Sequence, residues 1–512
     1  MQAWTHVLFG WLCLAVLVGC LWVFRLWRIG RALGSRLILS PEGYSGPPTP
    51  APRVCAVVAA HNEEHNIEPC LRSLLCQDYP NLEIVVVDDR STDRTSDLLD
   101  RCRAESAPLQ GVPCGDAANL RTVLLPPLTV RRSAGSRPHA VGCSSVAHSL
   151  SAVDDVRGAA APTQRGLQVR RVETVPDGWS GKSHAMHCGV TGTESDPLRG
   201  GSWVRTRSGF MGGPGPQQTR YAGSEWLLFT DADCCFTSPA TVSIAMHEAL
   251  AQEVNLLSIF PKLEYPTCWE RVLQPAAVLT LLAHFRPARC NDPADGTAYA
   301  NGAFILMDRK TYRAIGGHAA VKEQLNEDIA LARLVKRAGG RLCVAENEGL
   351  YRVRMYASPS DAWRGWTRIF LGCLQGSGQL IQGTVGVALM SLAPPVSMIA
   401  ALAGLCLDAQ ARFVYGALLL AWALAAVLGQ LAMWRLYRVL GVHPAWSLAH
   451  GLGALVTCFM LNAALLQRWG VSTTAWRGMV YRRGRPVGVD EEAIAVPRRG
   501  GVPFSAAETR QP

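Results

Sequence analysis

The hydrophobic pattern divides the chain into two apolar ends and a mixed middle. Val7 to Phe24 is an uncharged run of 18 residues, long enough with its flanks to cross a hydrocarbon layer of roughly 30 Å. Near the other end, Gly383 to Leu407, Phe413 to Trp434 and Leu448 to Leu466 are further apolar stretches, the first interrupted by Pro394 and Pro395. Between the ends, shorter apolar runs alternate with helical periodicity. Val54 to Ala60 is followed by His61-Asn62-Glu63-Glu64 and then by Ile67, Leu71, Leu74 and Leu75 at helical spacing. Leu82 to Val87 ends in Asp88-Asp89 and leads into a helix through Leu98 and Leu99, and Trp226 to Thr230 ends at Asp231-Ala232-Asp233. Unbroken runs of this kind are buried on both faces, so their alternation with helices predicts an α/β fold around a parallel sheet. Leu167 to Val175 is the expected third strand of the first half.

This pattern predicts a membrane anchor at 1–30, a catalytic domain at 50–375, membrane segments at 380–466 and a basic tail at 467–512. Two stretches inside the domain, about 104–168 and 191–223, are rich in Gly, Pro, Ser, Ala and Arg and read as surface insertions. Composition agrees with a tethered enzyme: apolar residues make up 49% of the 512 residues and charged residues 18%, against roughly 25% charged in soluble domains. The net charge of +10 comes from arginines beside apolar segments and in the tail, where anionic headgroups would meet them. No helix-turn-helix, zinc-finger or aromatic-basic pattern accompanies it, which excludes nucleic acid as the partner. The 17 cysteines include no CxxC pair with metal-ligand spacing, and a reducing compartment is the simpler expectation.

Arg25, Arg28, Arg31 and Arg36 follow the first apolar run, so the positive-inside rule places the catalytic domain in the cytosol of a multi-pass protein of the inner or plasma membrane. The last apolar stretch presents a conflict. If it spans, a tail bearing Arg468, Arg477, Arg482, Arg483 and Arg485 lies outside; if it is re-entrant or interfacial, the tail stays inside, the arrangement favoured here.

The candidate chemistry sits where strands end, beyond the carboxyl edge of a parallel sheet. Asp88 and Asp89 form an adjacent carboxylate pair, with Ser91 and Asp93 as ordinary helix caps. Asp231 and Asp233, one residue apart after a strand, can both reach a single hard divalent cation, Mg²⁺ or Mn²⁺, able to bridge a diphosphate. Glu327 and Asp328 open a helix, where acidic residues are common dipole partners. Asp328 is also placed to act as a general base.

The ordered segments VVAAHNEE, VVVDDRSTD, DGWSGKSHA, FTDAD, NGAFILMDRKTYRAIGGH, NEDIALARLVKRAGG and RMYASPSDAWRGWTRIFLG resemble the family 2 glycosyltransferases of GT-A fold, particularly membrane-bound bacterial members associated with carotenoid and hopanoid biosynthesis. The tail segment Thr473 to Gly478 resembles a Trp-Lys-Gly-Arg segment of these relatives, with arginine in the lysine position. The resemblance implies inverting transfer of a sugar from a nucleotide sugar, usually a uridine diphosphate sugar, to a lipid or membrane-associated acceptor. It implies that Glu63 and Asp89, with Asp88 as the alternative, contact the uridine. Asp231 and Asp233 would hold ribose, diphosphate and metal, Lys182 would lie near the donor, and Asp328 would be the base. Arg364, Trp366 and Arg368 occupy the place of the Gln-x-x-Arg-Trp motif of processive synthases but depart from it, so a single transfer is expected rather than polysaccharide elongation. An amphipathic interfacial helix anchored by tryptophan is the bland alternative for that segment. A catalytically inactive membrane binding protein is a further alternative, opposed by the joint presence of Asp89, Asp231, Asp233 and Asp328.

Overall fold

The computed structural model describes residues 2–34, 36–106, 166–192, 225–285 and 287–489. The bulk of both sequence insertions, 107–165 and 193–224, lies outside the described residues, as does the end of the tail. The valine-rich runs form the centre of an eight-stranded sheet. Its strands are β1 (Ile38–Leu39), β2 (Val54–Ala60), β3 (Leu82–Asp89), β4 (Leu167–Val172), β5 (Trp226–Asp231), β7 (Leu256–Ile259), β9 (Ile305–Asp308) and β10 (Leu342–Asn347), in the order β1-β10-β7-β9-β5-β2-β3-β4. Every pairing is parallel except those of β9, which runs antiparallel to both β5 and β7. The sheet is mixed rather than purely parallel, and that exception has a consequence for the site. β2 is buried along its whole length, as a central strand covered on both faces must be.

Helices cover both faces. α1 (Gln2–Gly34) precedes the sheet, and α2 (Ile67–Leu75) and α3 (Thr95–Ser106) follow β2 and β3. α4 (Gly181–Thr191) starts at Ser180, whose hydroxyl accepts from the amide of Ser183 at 3.2 Å. It packs closely on the sheet because Gly189 lies against Val57 and Val87, where a Cβ would clash. α5 (Thr241–Ala251) follows a short strand, β6 (Cys234–Phe236). That strand joins β8 (Lys262–Leu263) and β11 (Tyr351–Val353) in a second sheet of order β6-β11-β8. The strands of this second sheet have two to three residues each, too short for an alternating signal.

α6 (Cys268–His284), α7 (Glu327–Arg337) and α8 (Pro359–Cys373) complete the catalytic half. The apolar C-terminal region comes next: α9 (Ser377–Val387), a π-turn at Ala388–Leu392, α10 (Ala393–Leu407), α11 (Arg412–Val439) and α12 (His450–Trp469). Pro394 and Pro395 do not break the first stretch, because the π-turn precedes them and places proline in the opening turn of α10, where a missing N–H costs little. Among the described residues, four segments are long and apolar enough to cross a membrane: His6–Arg31, Ser377–Leu407, Arg412–Val439 and Pro444–Trp469.

Both ends of α12 are attached to helices of the catalytic half. Just before it, Trp446 lies 5.6 Å from the Arg271 guanidinium of α6, and Gly453 packs directly on the Val272 carbonyl. At its other end Arg468 donates to the carbonyls of Leu371, Leu374 and Gln375 at the end of α8, and Trp469 donates to Ser377 at 3.2 Å. The chain then forms a three-stranded meander, β12 (Thr474–Trp476), β13 (Met479–Arg482) and β14 (Arg485–Val489). That meander rests on the catalytic half, with Arg90 donating to the Arg477 carbonyl at 3.0 Å.

A helix held at both ends by one body does not carry the chain beyond it to the far side of a bilayer. In sealed vesicles, a tag placed after residue 489 is therefore expected to become protease-sensitive together with the catalytic domain. Protection of that tag while the domain is digested would mean that α12 crosses the membrane.

Candidate active site

The sheet delivers its chemistry to one edge. β2, β3 and β5 are parallel, so the loops after Ala60, Asp89 and Asp231 leave from the same edge. Antiparallel β9 contributes the residues that precede it, since Phe229 pairs with Ile305 and the chain enters β9 through Asn301 and Gly302. Ser258 and Thr230 fix that entry. The Asn301 amide donates to Ser258 Oγ at 2.8 Å, and Thr230 Oγ1 donates to the Ala303 carbonyl at 2.8 Å.

Beyond this edge lies a cavity of about 530 Å³. Its polar end is lined by Glu63, Lys182, Asp231, Asp233, Glu327 and Asp328. Lys182 is the buried countercharge, with Nζ 2.7 Å from Asp231 Oδ1 and 2.8 Å from Glu327 Oε1. Burial opposes its charge, but Asp231, Glu327 and Asp328 outweigh burial and raise its pKa above the ordinary lysine value. A Cβ at Gly302 would sit 2.6 Å from Lys182 Nζ, 3.2 Å from Asp231 Oδ2 and 3.5 Å from Asp328 Oδ2. Three charged groups from three elements thus converge on a point that only glycine leaves open.

The carboxylates divide into two kinds. Burial alone would raise Asp231, yet Lys182, Arg477 and Arg368 hold it below the usual carboxylate range. Asp233 is pushed up to about 8 by burial and by the negative charges of Asp231 and Glu63. Burial and then Glu327 push Asp328 up to about 7, although Lys182 and the amides of Ile329 and Gly302 oppose the rise. The Gly302 amide donates to Asp328 Oδ2 at 3.0 Å. Among the described residues no group of three or more His, Cys, Asp or Glu side chains could by itself hold a metal ion. Asp231 and Asp233 therefore offer an incomplete set of hard oxygen ligands, and their mutual repulsion is the condition a divalent cation relieves.

Trp366 and Arg368 line the same cavity from α8. The Trp366 indole Nε1 is buried without a hydrogen-bond partner, and Arg368 stacks 4.1 Å from the Trp476 ring of the tail meander. Three of the expected residues do not line the cavity. Arg364 turns to solvent and pairs with Asp361 at 2.8 Å, one helical turn away, instead of facing the cavity. Asp88 binds the start of its own loop and helix, accepting from the Ser91 amide at 3.3 Å and from Ser96 Oγ. Asp89 is fully buried behind the cavity wall, where its own neighbour Arg90 donates to it at 2.8 Å, and its Oδ2 lies against Gly181. Asp89 reaches the cavity only indirectly, through its carbonyl bond to His61, which does line the wall. In both cases a nearer partner within a few residues captured the carboxylate, which spacing after a strand does not reveal.

The residue missing from the sequence-based site is Arg477. It lines the cavity within electrostatic reach of Asp231, Asp233 and Glu63, although its position after the last apolar stretch suggested only a basic tail. The Thr473–Gly478 likeness was the available signal.

A mixed sheet carries a split acidic cluster and one buried lysine at its edge, and the architecture is GT-A-like. Residues 55–112 match the family described as glycosyl transferase family 2, in agreement with the resemblance carried by the motifs. A 72-residue segment is 43% identical to the β-monoglucosyldiacylglycerol synthase of a Synechocystis strain, a match spanning 14% of this chain and 15% of that protein. Among solved structures, the mannosyltransferase PcManGT of Pyrobaculum calidifontis, in complex with GDP-Man and Mn²⁺, is 17% identical, with a TM-score of 0.41 over 87% of this chain and 99% of the other. The glucosyl-3-phosphoglycerate synthase of Mycobacterium tuberculosis, in complex with Mn²⁺ and uridine diphosphate, is 14% identical, with a TM-score of 0.33 over 64% and 80%.

Lys182→Met leaves Asp231 and Glu327 buried without their countercharge, an effect on the order of 3–5 kcal/mol, and a large fall in the thermal unfolding midpoint is expected. Gly302→Ala should instead keep the fold and remove activity, because its methyl group displaces the Lys182 ammonium. Wild-type turnover by Gly302→Ala would contradict the convergence described above.

Proposed function

We propose that this protein is an inverting, membrane-associated glycosyltransferase that transfers a sugar from a nucleotide diphosphate sugar, most simply a uridine diphosphate sugar, to a hydroxyl group of a lipid. The observation carrying this proposal is the two-ended cavity. Besides the carboxylates, the wall includes Leu281, Leu282 and Phe285 at the end of α6 and Val439 and Leu440 at the end of the apolar helix α11. A polar donor and an apolar acceptor can therefore meet in one space, the second arriving along α11. The diacylglycerol in the name of the Synechocystis relative supports a lipid acceptor. The arginines after the first apolar run support a catalytic domain on the cytosolic face.

In the proposed transfer, Asp328 takes the proton of the acceptor hydroxyl. The acceptor oxygen forms a bond to the anomeric carbon from the face opposite the leaving group, and the bond from that carbon to the β-phosphate oxygen breaks. Its electron pair leaves with the nucleoside diphosphate. One displacement inverts the configuration and needs no covalent enzyme intermediate. Asp231 and Asp233 would hold Mg²⁺ or Mn²⁺ together with the diphosphate, and the ion would neutralise charge gathering on the leaving group. Glu63 lies beside them, placed by the hydrogen bond that its backbone N–H donates to Thr95 Oγ1 at 2.7 Å. Lys182 keeps Asp231 ionised, and Glu327 beside Asp328 raises the basicity of the base.

Asp328→Asn is expected to lower kcat/KM by about 10²- to 10⁴-fold while donor binding stays near wild type. Undiminished turnover would remove Asp328 from the base role. Because burial and Glu327 lift this carboxyl to about 7, the base is protonated below that pH. Activity should therefore fall as pH drops through about 7 and be retained above it, measured as a kcat/KM profile. Treatment with EDTA should stop transfer, and Mg²⁺ or Mn²⁺ should restore it; full activity in the chelator would refute the role given to Asp231 and Asp233.

A further inference from the structure

We infer that Arg477, at the tip of the C-terminal meander, is a donor-binding residue whose guanidinium grips the diphosphate of the nucleotide sugar. The inference rests on the nucleotide-sugar proposal for the cavity and extends it to a residue on the far side of the last apolar helix. Three observations carry it.

The first is placement. Arg477 and Gly478 are the two residues joining β12 to β13, and the flanking Trp476 and Met479 are paired. This turn enters the cavity wall beside His61, which lies 3.7 Å from the Gly478 position. Several contacts hold it there: Arg90 donates to the Arg477 carbonyl at 3.0 Å, Arg90 is itself held by buried Asp89, and Trp476 stacks on Arg368. The buried Asp89 thus acts through Arg90 to position the turn.

The second is backbone conformation. Both turn residues have positive φ, 50° at Arg477 and 67° at Gly478. This is the two-residue hairpin turn whose first position favours Asn or Asp and disfavours a long side chain. The same conformation recurs at Arg483 and Gly484 in the exposed β13–β14 turn, with φ of 54° and 80°, so at Arg477 it fixes where the side chain starts and does not by itself mark a function.

The third is the state of the guanidinium. Arg477 Nη1 is buried with no hydrogen-bond partner. Lys182, fully buried in the wall, is saturated by Asp231 and Glu327, whereas half-buried Arg477 and Arg368 each keep a buried nitrogen without a partner and so have a donor to offer. A buried donor left unmade costs free energy that a bound anion recovers. A planar guanidinium with several donors suits a phosphate group. With Arg368 at 4.1 Å and Arg477 at 5.2 Å from the Trp476 ring, two guanidinium groups flank one indole at the cavity wall. A dianionic diphosphate entering beside carboxylates needs positive charge of this kind in addition to any metal ion.

The test uses the full-length protein in detergent with Mg²⁺ and measures binding of uridine diphosphate and, separately, guanosine diphosphate. Arg477→Asn removes the guanidinium but suits the turn better than arginine does. It is expected to leave the thermal midpoint unchanged or raised while weakening nucleoside diphosphate binding and raising donor KM about 10- to 100-fold. Arg477→Lys should recover part of both, and Arg485→Ala, at the exposed start of β14, should change neither. Wild-type affinity and donor KM in Arg477→Asn, with the wild-type protein binding either nucleotide, would overturn the inference alone. Absence of binding and of transfer in the wild type with either nucleotide would overturn the nucleotide-sugar proposal as well. A lowered thermal midpoint without loss of nucleotide affinity would assign Arg477 to tail packing and likewise refute it.

Discussion

The site depends on one ion-pair arrangement: the Lys182 ammonium between Asp231 and Glu327, inside a cavity that also holds Glu63, Asp233 and Asp328. Bringing several carboxylates together away from bulk water is unfavourable, and a single ammonium cannot neutralise them all. The imbalance falls unevenly. Asp231, in contact with the lysine, stays ionised, whereas Asp233 and Asp328 are pushed up to about 8 and about 7. Pairs of titratable groups driven apart in this way are characteristic of sites that divide acid, base and ligand roles among similar side chains. The residual negative charge prepares one end of the cavity for a cation and leaves the other carboxyl poised near neutrality.

That charge cluster is possible because of the mixed sheet. In an all-parallel sheet the edge beyond Asp231 would receive only strand ends. Antiparallel β9 sends its entry, Asn301-Gly302, to the same edge as the exits of β2 and β5. The glycine then admits the lysine, and its amide holds Asp328. The loops after β2 and β3 are tied to each other, with Asn62 Oδ1 accepting from the Thr92 amide at 2.8 Å and Asp93 accepting from the amides of Glu64 and Thr95. Glu63 is thereby fixed at the cavity wall while the more conspicuous Asp88 and Asp89 are spent on the loops.

The same physics separates the legible parts of the sequence from the rest. Long valine-rich strands announce themselves, and β2, β3 and β5 fall where the apolar runs lie; Asp231, Asp233 and Asp328 meet because each sits at the end of an element whose direction was readable, whereas Lys182 was expected near them only from the family resemblance. Short elements were not legible. β1, with two residues, exists because it adds to the edge of β10, and β6, β8 and β11 exist through pairing between residues far apart in sequence. The local partners of Asp88 and Asp89, Ser91, Ser96 and Arg90, were not legible from their place at a strand end. The meander was missed for a related reason. Its glycine- and arginine-rich segment carries little apolar periodicity, and its place is fixed by Arg90, 387 residues away in sequence.

The same long return makes the cavity a joint product of the catalytic half and the apolar helices. Its wall includes Val439 and Leu440 from the end of α11 and Trp476 and Arg477 from beyond α12, and Gly441 lies against the Lys262 side chain of the second sheet. An excised stretch covering only 50–375 would keep the carboxylates and Lys182. It would lose Val439 and Leu440 from the apolar wall and both tail residues, opening to water a space whose electrostatics depend on being largely closed to it. The apolar helices are therefore part of the site's construction as well as an anchor. The tail must lie on the same side as the carboxylates because its turn forms part of their enclosure.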